Sequence, residues 1–154
     1  MAERAGTFPR VEDAFRISWS GHHLEGYSRR GLILCQVEVA VWLVEAAGAV
    51  VGIVMATEEA DPQYRHASID IALAAAGRGH GLGPAAVRTV ARWLIDVRGH
   101  HRLTIDPSTA NERAIAAYAK VGFRPVGTMR AYERWRDGTW HDGLLMDLVA
   151  AELG

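Results

Sequence analysis

Alternating apolar and polar positions give residues 37–73 the pattern of a β-sheet. Val37-Glu-Val-Ala-Val-Trp-Leu-Val44 and Val50-Val-Gly-Ile-Val-Met-Ala56 are rich in β-branched residues and flank Ala47-Gly48-Ala49. They predict two antiparallel strands joined by a tight turn. Leu32-Ile-Leu-Cys35 has the same character and predicts a strand ahead of them. Polar residues 58–65, with Pro62 among them, predict a loop. Across 67–73 the period is two: Ile69, Ile71 and Leu73 share one face, and Ser68, Asp70 and Ala72 the other.

The period changes after residue 83. Val87, Val90, Ala91 and Leu94 recur at i, i+3, i+4 and i+7, with Arg88, Arg92 and Asp96 turned outward. This spacing predicts a helix over 84–98 with one buried face. Pro84 suits its first position and Gly99 its end. Arg102-Leu-Thr-Ile105 predicts a short strand, a parallel neighbour of 67–73 by the right-handed crossover rule. Thr109 and Glu112 have capping-box spacing for a helix running to Lys120, with Gly122 as its left-handed cap. Phe123 opens another strand, and Arg136-Asp-Gly-Thr139 predicts a hairpin between 130–135 and 140–148. The succession predicts an α/β fold: a mixed, mostly antiparallel central sheet with one parallel strand pair, flanked by helices. Residues 1–31 are less regular. A helix-like stretch opens at 13–20, Gly21-His22-His23 reads as a turn, and no clear first strand emerges.

Composition narrows the function classes. A length of 154 residues suits one domain with its own core, and 49% hydrophobic with 23% charged residues is the make-up of a soluble globular protein. A net charge of −1 gives no basic field for nucleic acid. Cys35 stands alone, which rules out an internal disulfide and fits a reducing cytoplasm; its apolar neighbours mark it as a buried small residue. The first thirty residues carry scattered charges, with no apolar signal core. The longest uncharged apolar run, 46–57, is too short to span a bilayer, so no membrane association is expected. His22-His23 and His100-His101 are adjacent pairs, which do not face one metal, and no metal site is expected.

The candidate chemistry starts at Arg78-Gly-His-Gly-Leu-Gly83, between a strand and a helix. Glycines let backbone approach a ligand, and the first N–H groups of a helix are unpaired, so such a loop suits a diphosphate. The absence of Lys-Ser/Thr after Gly83 excludes a P-loop, and glycines at 79, 81 and 83 do not make a dinucleotide fingerprint. Arg78, Gly81 and Gly83 do match Arg/Gln-x-x-Gly-x-Gly/Ala, and Asn111-Glu-Arg-Ala114-Ile-Ala-Ala-Tyr118-Ala-Lys120-Val-Gly122-Phe123 follows downstream. Together these two motifs, in this order over roughly residues 32–150, resemble the GNAT N-acetyltransferase superfamily.

That resemblance implies a single acetyltransferase domain over 1–154, with 67–123 as the acetyl-coenzyme A-binding core and 1–31 on the acceptor side. It implies that the parallel strands splay, so that Ile71 and Leu73 meet the pantetheine arm. Arg78, Gly79, His80, Gly81, Leu82 and Gly83 are expected around the pyrophosphate, and Asn111 and Ala114 along the pantetheine. Tyr118 is expected to protonate the departing thiolate, although the residue also reads as a packed aromatic beside Ala114 and Ile115. Members of the superfamily are often dimers, which makes a homodimer an expectation here.

Three aspartates bear on the acceptor. Asp70, inside an apolar strand, is either a solvent-facing or ion-paired carboxylate, or a general base and amine anchor. Asp106, in Ile105-Asp106-Pro107-Ser108, is either a turn former or a substrate ligand. This segment, together with Ile69-Asp70, resembles the aminoglycoside 6'-N-acetyltransferases, in which the two acids serve the antibiotic's amines. Asp142 reads as a third substrate ligand or as an edge-strand charge. Glu58, Glu59 and Asp61 are either rim charges or a solvated loop, and Trp19, Trp135 and Trp140 either a sugar-binding wall or packing. The expected activity is acetyl transfer from acetyl-coenzyme A to a primary amine, an aminoglycoside's 6'-amine first. Acetylation of a protein N-terminus is the alternative, and acetyl-coenzyme A binding without turnover a third reading.

Overall fold

The computed structural model describes the backbone of residues 16–23 and 37–154, with the side chains of residues 39–154. Among the described residues, seven strands form one sheet in the order β1 (Arg16–His23), β2 (Val37–Ala46), β3 (Ala49–Glu59), β4 (His66–Leu73), β5 (Arg102–Ile105), β7 (Trp140–Val149) and β6 (Arg124–Arg134). Helix α1 (Leu82–Asp96) crosses from β4 to β5, and α2 (Glu112–Ala119) leads from β5 to β6. Every neighbouring pair is antiparallel except β4–β5. The fold is the mixed sheet with one parallel pair that the alternation predicts.

The β2–β3 turn consists of Ala47 and Gly48, both at positive φ (51° and 77°), so its twist matches that of the strands it joins. The core collects Trp42, Val44 and Val54 from β2 and β3, Ala67 and Ile69 from β4, and Leu103, Ile105, Met146 and Leu148 from β5 and β7. Helix α1 adds the predicted stripe of Val87, Val90, Ala91 and Leu94, with Ala86 beside it, and packs on β3, β4 and α2. Burying Val87, Val90 or Leu94 contributes about 2 kcal/mol each. Trp42 meets Trp93 edge to face, with ring centroids 5.4 Å apart.

Several expectations are corrected. Residues 16–23 form strand β1, paired with β2 from Arg16↔Glu45 to His23↔Glu38, so residues 16–20 are not in the expected helix and Gly21-His22-His23 is not a turn. Strand pairing supplies what local propensity does not. The expected strand at 32–35, Cys35 itself and the side chain of Trp19 lie outside the described residues. Pro84 is the third residue of α1, not the first, because the left-handed Gly81 already starts the helix. Asn111 rather than Thr109 caps α2: its Oδ1 accepts from Ala114 N–H at 3.1 Å. Gly122 has the predicted positive φ, 121°, and its N–H and that of Phe123 both donate to the Tyr118 carbonyl.

Strand β3 extends through Glu58 and Glu59, where a loop is expected. Glu58 is buried and is no rim charge: both its oxygens accept from Arg98 Nε at 3.1 Å, and one accepts from His100 Nε2 at 2.6 Å. Glu59 and Asp61 shape the loop instead, accepting from the backbone N–H groups of Asp61 and Gln63.

Candidate active site

The parallel pair is the origin of the site. Strands β4 and β5 are paired only at Ala67↔Leu103 and Ser68↔Thr104. The Ser68 and Thr104 hydroxyls share a hydrogen bond, 2.8 Å, at the last rung. Beyond it the strands part, and residues 69–73 of β4 have a ladder partner on the β3 side only, among the described residues. A row of backbone N–H and C=O groups is left open to an amide-bearing ligand.

The row runs into the glycine loop. Arg78 folds back so that its Nε donates to the Leu73 carbonyl, 2.8 Å, closing the end of β4. Gly79 and Gly81 are left-handed (φ 87° and 77°). Gly81 is the N-cap of α1 and offers no side-chain cap. Among the described residues, no protein group accepts from the N–H groups of residues 79–83, which leaves them free to donate to an anion.

A cleft of about 670 Å³ follows this path. Of the residues singled out from sequence, Ile71, Leu73, Arg78, Gly79, Gly81, Gly83, Asn111, Ala114 and Tyr118 line it. Leu82 does not, since its side chain is buried in the core, and exposed His80 stands outside it. Two cations given no role from sequence do line it: Arg113 and Lys120 of the α2 segment. Arg113 reaches across the loop, its Nη2 3.2 Å from where a β-carbon on Gly79 would stand. Three cations beside a row of free N–H groups, continuous with an open strand edge, fit a diphosphate joined to an amide-bearing chain.

At the other end of the cleft, Tyr118 is half-buried against the core and meets Phe123 edge to face at 6.5 Å. Its phenol is pushed up to about 12 by burial, with the charges of Asp70 and then Asp106 adding to the shift. The charges of both aspartates thus reach the phenol, that of exposed Asp70 from β4 and that of Asp106 from the segment after β5. Asp106 is also engaged from a side the sequence did not suggest. The Tyr132 hydroxyl donates to Asp106 Oδ2, and this bond, ahead of burial and of the charges of Asp106, Asp70 and Glu133, raises the Tyr132 phenol to about 12.

Asp142 is brought to the same region, where its carboxylate serves the backbone: Oδ1 accepts from Ala131 N–H at 2.8 Å, and its carbonyl accepts from Thr109 N–H. Trp135 stacks on His141 at 3.6 Å, within the β6–β7 hairpin, while Trp140 is exposed. No group of three or more His, Cys, Asp or Glu that could hold a metal occurs among the described residues, and none of their helices is long and apolar enough to cross a membrane.

Residues 8–123 match the sequence pattern of the acetyltransferase (GNAT) family. The chain is 41% identical over 73 residues to an aminoglycoside N(6')-acetyltransferase type 1 of Klebsiella pneumoniae, a stretch covering 47% of this chain and 35% of that protein. It is 30% identical over 98 residues to N-acetyltransferase 8F1 of Rattus norvegicus, covering 62% of this chain and 44% of that one. It thus spans less than half the length of either relative. Among solved structures it resembles Mycobacterium smegmatis RimJ in complex with CoA-disulfide, at a TM-score of 0.70 and 28% identity, over 75% of this chain and 55% of that one. With the splayed pair, the glycine loop and the family match in agreement, the chain belongs to the GNAT family of acetyltransferases.

Proposed function

We propose that the chain transfers acetyl from acetyl-coenzyme A to a primary amine of a polycationic acceptor, the 6'-amine of an aminoglycoside first among them. The observation that carries this reading is a half-buried phenol at the cleft, raised to about 12 by burial and by the charges of two carboxylates, Asp70 and Asp106. Each has work to do. The acceptor nitrogen must be neutral to attack the thioester carbonyl, and Asp70, directly or through water, takes the proton it sheds. The carbon–sulfur bond then breaks, and Tyr118 supplies a proton to the sulfur. The N–H groups of residues 79–83, with Arg78 and Arg113, hold the diphosphate, and the open edge of β4 aligns the pantetheine. Asp106 binds positive charge on the acceptor.

The 41% identity to an aminoglycoside N(6')-acetyltransferase supports this acceptor class. A second reading, acetylation of a peptide's N-terminal amine, is favoured by the long exposed edge strand β6, which leaves room for an extended chain. Coenzyme A release measured with kanamycin, tobramycin and gentamicin, against short peptides with free N-termini, separates the two. Turnover with the antibiotics is expected; turnover with peptides alone would refute the aminoglycoside reading.

A further inference from the structure

Tyr132 reaches Asp106 by crossing a whole strand. In the sheet β7 lies between β5 and β6, and Asp106 follows β5 while Tyr132 belongs to β6. The pairing of β6 with β7 slips between Met129↔Gly143 and Glu133↔His141, so Arg130, Ala131 and Tyr132 stand opposite Asp142 alone. At the centre of this bulge Ala131 has φ 49°, a left-handed conformation that a non-glycine residue adopts only when held, and Asp142 Oδ1 holds it through the Ala131 N–H. The bulge turns the Tyr132 ring over β7 at Gly143. A β-carbon on Gly143 would stand 2.7 Å from Tyr132 Cδ1 and 3.2 Å from Cγ, so only glycine at 143 leaves the ring this path. On its other side Gly143 bridges to Ser108, two residues beyond Asp106.

We propose that Tyr132 is a specificity-determining residue, seated by Gly143, that joins Asp106 in binding a second, non-reacting ammonium of the acceptor. The inference rests on the amine-acetylation reading above and deepens it. The hydroxyl donates a hydrogen bond to one oxygen of Asp106, so the phenolic lone pairs and the other carboxylate oxygen remain as acceptors. Paired acceptors suit a primary ammonium, which brings three N–H donors. Asp70 is left to the reacting amine, so the acceptor class is a diamine or polyamine rather than a monoamine.

The test compares the wild-type chain with Tyr132→Phe and Gly143→Ala, using kanamycin and spermidine. Y132F removes only the hydroxyl; G143A keeps it and displaces the ring. Both are expected to raise the KM for the amine roughly tenfold, the size of a lost hydrogen bond to charge, with kcat and the KM for acetyl-coenzyme A within about twofold. The double variant should be no worse than either single one, because each breaks the same contact. Turnover with an unchanged amine KM in Y132F would overturn the role of Tyr132 and leave the acetylation reading standing. A parallel loss in the KM for acetyl-coenzyme A would overturn it too, as a sign of general distortion. No turnover of any amine by the wild-type chain would overturn the underlying reading itself.

Discussion

The proton-donor role proposed for Tyr118 requires a phenol that keeps its proton, and burial and the charges of Asp70 and Asp106 all act in that direction. Each disfavours the phenolate. An ultraviolet titration of wild type minus Tyr118→Phe should show no phenolate signal at pH 10 and a midpoint near 12. The linked stability has a definite sign. The native phenol titrates above its ordinary value, so its contribution is complete below pH 10 and is lost as the pH rises from 10 through about 12. Tyr118→Phe should lower kcat by roughly 100-fold, the lower range for general acid catalysis, with the KM for acetyl-coenzyme A little changed. At Gly81 the demand is on backbone alone: φ is 77°, and nothing lies within 4 Å of the place a β-carbon would take. Gly81→Ala should therefore destabilise by about 1 kcal/mol, measured by urea unfolding, and raise the KM for acetyl-coenzyme A.

Among the elements, β3 and the turn after α1 are fastened by charge. Glu58 on β3 meets Arg98 and His100, 40 and 42 residues further along, in a largely buried cluster. Removing one partner of such a cluster leaves the others desolvated, so Glu58→Gln should cost about 3 kcal/mol, seen as a fall in Tm. This cluster marks where local sequence stops being informative. The alternation at 67–73 places Asp70 on its face without reference to anything distant, and the i, i+3, i+4, i+7 spacing does the same for α1. Glu58 reads as a loop acid because its partners are remote. Arg113 and Lys120 belong to a motif legible in sequence, but their place at the cleft follows only from the fold that sets α2 against the loop. Tyr132 is illegible for a different reason: its side depends on a register slip, and alternation assumes there is none.

For the molecule as a whole, the site is a defect in the sheet, the point where β4 and β5 stop pairing after two rungs. The prediction of parallel neighbours anticipates the defect's place but not its depth, which the Ser68–Thr104 contact marks. Replacing both by alanine and valine should loosen that rung and raise the KM for acetyl-coenzyme A more than Tm falls, as paired kinetic and thermal measurements would show. The bulge in β6 has a consequence beyond the acceptor. Strand β6 is the last in the order, with an outer row of main-chain groups to which neighbouring molecules could zip. Pro125 has no N–H to offer a neighbour, and the left-handed conformation at Ala131 breaks the line of the strand. The carboxylate of Asp142 that holds this conformation thus guards solubility as well as aiming a phenol. Loss of that one side chain should register in a light-scattering cell before any kinetic assay is run.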